Sequence, residues 1–264
     1  MLGKLIKYDF KWIFKVVLIY IVLGLSCAAL GRVFSLIENS VIFGIISAIL
    51  KSVSVCLLVS SLINGILRGW ARLVSNQYKD ESYLVNTLPI DRKTLLLSKI
   101  ISTIITITSS FICIVIGLII AYYNENTLEI IKESLSSISD TLNTSIVSFV
   151  IVVILVLFLE ILFLVFVGFF GIVFGHKFNQ KKMLKSLLSG LVVYVVASNL
   201  SLLILFIASM FNDSLSGLLF GNTFQIELSI LKGLMLGAVF IYLVYCVVLY
   251  IITNKILSKG INID

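Results

Sequence analysis

The chain has 264 residues, 60% of them hydrophobic and only 12% charged, with a mean hydropathy of +1.17. A soluble domain is about half apolar and about a quarter charged, so composition excludes a water-soluble globule, a disordered chain and a disulfide-stapled secreted scaffold. A porin-type barrel fits badly too, because its strands alternate polar and apolar residues. The composition implies an all-α, polytopic integral membrane protein: one transmembrane domain over residues 1–264, with room for six spans of about 20 residues each. The net charge of +7, with pI near 9.2, raises the question of nucleic acid, which the placement of the charges answers below.

Residues 1–15 are amphipathic. Lys4, Lys7, Lys11 and Lys15 recur at spacings of three and four, hence on one helical face, with Leu2, Leu5, Trp12 and Val16 largely opposite. Such a segment lies in the membrane interface as an elbow helix, its lysines in water or on lipid phosphates and Trp12 at headgroup level. The plainer alternative is a positive flank that fixes topology. Six hydrophobic runs are long enough to span: 16–37, 41–67, 99–123, 146–174, 187–211 and 229–253. The first, at about 22 residues, exceeds the core of a signal peptide and reads as a retained span.

With the N-terminus inside, sixteen of the twenty Lys and Arg residues fall in cytoplasmic segments. Arg32 and Lys132 lie outside, and Lys51 and Lys232 fall within spans. Lys/Arg bias of this kind sets orientation and places both termini in the cytoplasm. It also removes the nucleic-acid reading. The basic residues are spread along membrane-flanking connections rather than gathered in one groove, where they face anionic lipid.

The connection over residues 68–98 is much longer than the other internal one, 175–186. Pro89, the chain's only proline, disfavours helix at Leu88 and closes any helix before it. Asp91 is then placed as N-cap of the helix that becomes the third span. Upstream, Tyr83, Leu84, Val85 and Leu88 are apolar residues beside Lys79, Asp80 and Glu81. Apolar side chains at a loop tip are costly unless covered. The segment therefore reads as a short helix that docks on a cytoplasmic partner, or else packs on the inner ends of the chain's own spans.

A basic amphipathic start, six spans and the run Thr87-Leu88-Pro89 followed by Arg92, Leu95, Leu96, Ser98 and Lys99 together resemble the type-2 ATP-binding-cassette (ABC) exporter permeases. The layout covers the whole chain, the motif about 17 residues. The resemblance implies a coupling helix seated in a groove of a separate cytoplasmic ATPase. That role maps onto Lys79, Asp80, Glu81, Tyr83, Leu84, Leu88 and Pro89. It further implies a second permease chain, identical or related, and an outer segment between spans five and six that corresponds to residues 212–228. The chain has no GxxxxGK[ST] phosphate loop, so ATP and Mg are expected in the partner, and no enzymatic activity or cofactor in this chain.

Two ionisable residues fall well within spans. By the helical rise, Lys51 is about 15 Å inward from Val41, and Glu160 about 21 Å inward from Ile146. Intramembrane charges usually face a partner or a watery cavity. The pair is expected either to bridge or to line a substrate path; otherwise Glu160 is protonated and Lys51 snorkels. Cys27, Cys56, Cys113 and Cys246 lack metal-ligand spacing, and His176 lacks clustered acids or cysteines, so no metal site is expected. Gly168 with Gly171, and Gly233 with Gly237, are candidate close-packing pairs.

The leading expectation is an exporter permease moving amphipathic or antimicrobial peptides, in the plasma membrane of a Gram-positive bacterium. Aromatic and aliphatic residues such as Phe111, Tyr122, Tyr123, Phe158 and Phe163 suit such cargo. Export of a lipid or small hydrophobic drug, or a non-pumping immunity protein or receptor, is the alternative. A gradient-driven carrier is less well supported, because no span contains proline and the two halves show no repeat.

Overall fold

The computed structural model describes residues 2–37, 41–79, 81–87, 90–123, 129, 133, 136, 146–211, 215–217 and 228–259. The protein is an all-α polytopic membrane protein, with six helices long and apolar enough to cross a bilayer among the described residues. In chain order the helices are α1 (Leu2–Ser35), α2 (Val41–Tyr78), α3 (Glu81–Thr87), α4 (Arg92–Tyr122), α5 (Ile146–Gly175), α6 (Lys182–Met210) and α7 (Leu228–Ser258), all but the short α3 being long enough to span.

The helices outrun the apolar segments that specify them. At 38 residues, α2 is about 57 Å long, against a hydrocarbon core of about 30 Å. It continues to Tyr78, past the end of its apolar run, and α4 begins at Arg92, before its own run starts. Most of the 68–98 connection is therefore helix. Residues 2–15 likewise join the first span in one uninterrupted helix, so the elbow is not a separate element. The interface-facing lysines sit on the exposed side of that helix.

Contacts divide the chain into two compact units, one holding α1 to α4 and the other α5 to α7. The first unit is built on small residues. The buried stripe of α1 is Asp9, Ile13, Val17, Ile21, Gly24, Ala28 and Gly31, a three-to-four spacing that presents one face. Where lipid replaces water, apolar surface alone does not drive helices together, and small residues permit close backbone approach. At Gly24 a Cβ would come within 2.8 Å of the Leu58 side chain. Ser54 and Ser47 of α2 donate hydrogen bonds of 2.8 Å to the carbonyls of Gly24 and Gly31. Ser102 of α4 donates to the Ile6 carbonyl at 3.1 Å.

In the second unit α5 is central. It packs against both α6 and α7, while α6 and α7 scarcely meet. Phe163, Val167, Ala197, Cys246 and Leu249 form the core between them. The close α5–α6 approach uses Gly171 and Gly175, a GxxxG pair in α5, against Ser186 and Gly190; a Cβ on Gly171 would lie 2.7 Å from the Ser186 carbonyl. This corrects the expectation for Gly233 and Gly237: a Cβ on either would meet nothing within 4 Å. His176, the residue after the end of α5, is buried, its Nδ1 2.8 Å from the Ile172 carbonyl and 3.3 Å from Ser186 Oγ.

Candidate functional site

Three helix ends converge at the Lys/Arg-rich side of the first unit and enclose a charged cluster. From α1 comes Asp9, its side chain only 4% exposed. From the last turns of α2 comes Arg72, whose Nε donates to Asp9 Oδ1 at 2.8 Å and whose Nη1 donates to Glu81 Oε2 at 2.8 Å. From the first turns of α4 come Ser98, donating to Asp9 Oδ2 at 2.8 Å, and Lys99, its Nζ 3.5 Å from the same oxygen. Two acids meet two bases, so charges that would be prohibitive alone are mutually compensated.

Lys99 is 1% exposed. Its position follows from the long extension of α4, which turns a residue expected at the start of a span into a core side chain. The motif residues Leu95, Leu96 and Ser98 are buried with it.

Trp12 completes the cluster. Its ring lies under two guanidinium groups, with centroid distances of 4.9 Å to Arg68 and 5.2 Å to Arg72. Each such contact contributes about 0.5–2 kcal/mol depending on desolvation. Trp12 is thus a structural partner of α2, in addition to any headgroup role, while Lys4, Lys7, Lys11 and Lys15 are exposed around it.

The short helix α3 is fastened by its first residue. Glu81 accepts from Arg72, from Asn76 at 3.0 Å and from Ser75 at 3.3 Å. Burial works against its carboxylate, but the Asn76 bond, the Arg72 charge and the Ser75 bond outweigh this and hold it below its ordinary range. With Glu81 and buried Ser82 facing inward, α3 turns Tyr83 and Leu84 outward, 65% and 74% exposed. Lys79 is exposed beside them. The helix ends at Thr87, two residues before Pro89; Asp80, Leu88 and Pro89 lie outside the described residues. Asp91 does occupy the N-cap position of α4, its carbonyl accepting from Thr94 and Leu95, but its side chain makes no capping bond.

The sequence reading found α3 and missed what holds it. In the sequence Arg72 reads only as a topology charge, and no motif singles out Asp9. The available signal was the position of Asp9, an acid on the apolar face shared with Leu5, Trp12 and Val16. An acid there needs a buried cation, and neither its identity nor its helix is readable from α1 alone.

The two intramembrane charges belong to different units. Lys51 packs its stem on Gly31 and holds its Nζ 5.8 Å from the centroid of the Tyr122 ring. Tyr122 is the last residue of α4, so Lys51 lies level with the end of the first unit opposite the charge cluster rather than with its middle. Glu160 is exposed on α5, three residues from Phe163.

Among the described residues, no group of three or more His, Cys, Asp or Glu is arranged to hold a metal ion. Comparison with known family models, curated proteins and solved structures found no match to this chain.

Proposed function

We propose that this chain is the membrane-spanning permease subunit of an ABC exporter, with α3 as the helix that docks in a separate cytoplasmic ATPase. The observation that carries this reading is the construction of α3. Its inner face is tied through Glu81 and Arg72 to Asp9, and through Asp9 to Ser98 and Lys99, while Tyr83 and Leu84 project outward. A helix so fastened transmits a push. Movement of α3 reaches α2 through Arg72, α1 through Asp9 and α4 through Lys99, all within one polar network.

Pumping then follows from population shift. Closure of the ATPase pair on nucleotide favours one arrangement of the docked helices, and the free energy of that preference biases the spans. The chain supplies the path, and the partner, carrying ATP and Mg, supplies hydrolysis. A second permease chain, identical or related, faces this one across the path. On this reading the chain works in the plasma membrane of a Gram-positive cell, with amphipathic peptide as cargo.

The test is affinity purification of the chain from its native membranes and identification of a co-purifying ABC ATPase, followed by ATPase assays of the reconstituted complex. Leu84→Asp is expected to abolish co-purification while leaving the chain folded. Amphipathic peptides are expected to stimulate hydrolysis more than lipids do. Assembly that persists in Leu84→Asp removes α3 as the docking helix, and a response to lipid with none to peptide moves the cargo to lipid.

A further inference from the structure

The second unit contains a cavity of about 990 Å3 that the docking cluster does not use. It exists because α6 and α7 both pack on α5 but diverge from one another. Phe163 of α5 forms its floor, with ring centroids of Tyr194, Tyr242 and Tyr245 at 6.0, 5.8 and 5.5 Å. At that level the cleft is pinned. The Tyr245 hydroxyl bonds to the Ala197 carbonyl and Ser201 Oγ, each at 3.1 Å, joining α7 to α6. Towards the outer end the walls are small residues, with Ala208 on α6 and Gly233 and Gly237 on α7. The missing side chains of the two glycines leave open space rather than a packed interface.

Beside this cavity stands Glu160. It is one helical turn from cavity-lining Phe163 on α5, on the same side of that helix. Within its own unit no described side chain supplies a cation to it: Lys177, Lys181, Lys182, Lys185, Lys255 and Lys259 all lie at or beyond the opposite ends of the helices, and Lys232, whose side chain is outside those described, is more than two helical turns from Tyr242 on α7. A carboxylate in an apolar span is expensive and calls for a counter-charge. Aromatic ring faces attract cations and accept apolar groups equally well.

From this geometry we infer that the cavity between α6 and α7 binds a cationic amphiphile, its apolar body on Phe163 and the tyrosine rings and its positive group at Glu160. The inference deepens the permease reading, on which the site's role in carrying cargo rests. It predicts binding by this chain alone. Anionic lipid is disfavoured by Glu160, and an uncharged hydrocarbon leaves the carboxylate without a partner.

The experiment is equilibrium binding of radiolabelled tetraphenylphosphonium to the purified full chain in lipid nanodiscs, with no ATPase or nucleotide present. The anionic isostere tetraphenylborate serves as the comparison. Saturable binding of the cation at one site per chain is expected. Glu160→Gln is expected to weaken it about tenfold, equivalent to about 1.4 kcal/mol, and Glu160→Asp to retain most of it, which separates loss of charge from loss of fold. Gly237→Leu fills the cavity and is expected to remove binding. The proposal is overturned by absence of saturable binding in the wild-type chain, by borate binding as tightly as phosphonium at this site, or by unchanged affinity in either Glu160→Gln or Gly237→Leu. Failure here leaves ATPase docking through α3 to its own test, since that assay reads co-purification and this one reads ligand.

Discussion

Asp9 sits at the centre of the buried charge cluster, facing Arg72, Ser98 and Lys99 at once, whereas Glu81 closes the cluster on its watery side with 43% of its side chain exposed. The two acids should therefore differ in cost when neutralised. Asp9→Asn leaves buried Lys99 without its ion-pair partner and Arg72 with Glu81 alone, and breaking a buried pair costs about 3–5 kcal/mol. Glu81→Gln loses a half-exposed partner, for which about 1 kcal/mol is expected. Thermal unfolding in detergent should rank the variants in that order, and equal losses would show that Asp9 is not the hub. Arg72→Lys is expected to behave almost like removal, because one ammonium cannot reproduce a fork that serves Asp9 with one nitrogen and Glu81 with another.

The Glu81 carboxylate also sets a pH response at this scale. Its pKa is lower in the folded chain than the ordinary value of 4.5. Its stabilising contribution is thus fully present above about pH 4.5 and is lost as pH falls through the folded value. Hydrogen exchange in α3 should accelerate below that range, and Glu81→Gln should abolish the dependence.

Among the helices, close approach depends on particular glycines rather than on glycine content. In the α5–α6 contact a side chain at Gly171 would strike backbone, the Ser186 carbonyl at 2.7 Å and the Gly190 Cα at 3.0 Å, and backbone cannot rotate away. Gly171→Val should destabilise the chain by about 1–3 kcal/mol or more, as overpacking does. Gly237→Val, at a position with open space around it, should leave thermal stability in detergent within about 0.5 kcal/mol of wild type. The sequence made the opposite ranking attractive, since Gly233 and Gly237 form an evident GxxxG and Gly171 had been paired with Gly168. Spacing reveals that a helix has a smooth side; which neighbour uses it depends on the helix opposite.

For the whole molecule, division into two units has a consequence for the docking cluster. Asp9, Arg72, Glu81, Ser98 and Lys99 all belong to residues 1–129, so that fragment alone contains every partner. Produced by itself in membranes, it should retain slow exchange in α3; rapid exchange would mean that the cluster depends on the second unit. Orientation is open to the same kind of check. A single cysteine at Lys79 or Asn179 should be labelled only from the cytoplasmic side, and one at Ile37 only from outside, as the Lys/Arg distribution requires.

The amino-acid order by itself determined that the chain is helical, crosses the membrane six times and has a short helix ahead of Pro89. Each of these follows from local quantities: an apolar run must satisfy its own backbone hydrogen bonds in lipid, loop charge resists translocation, and proline restricts the residue before it. Only the tertiary structure decided that Asp9 meets Arg72 and Lys99, that Lys51 lies at the level of Tyr122 at the far end of α4, and that the glycines of α7 border a cavity instead of a helix. These are relations between residues as far as 90 positions apart, as from Asp9 to Lys99. They depend on how far each helix extends beyond its apolar segment and on which face it turns, and no single segment carries that information.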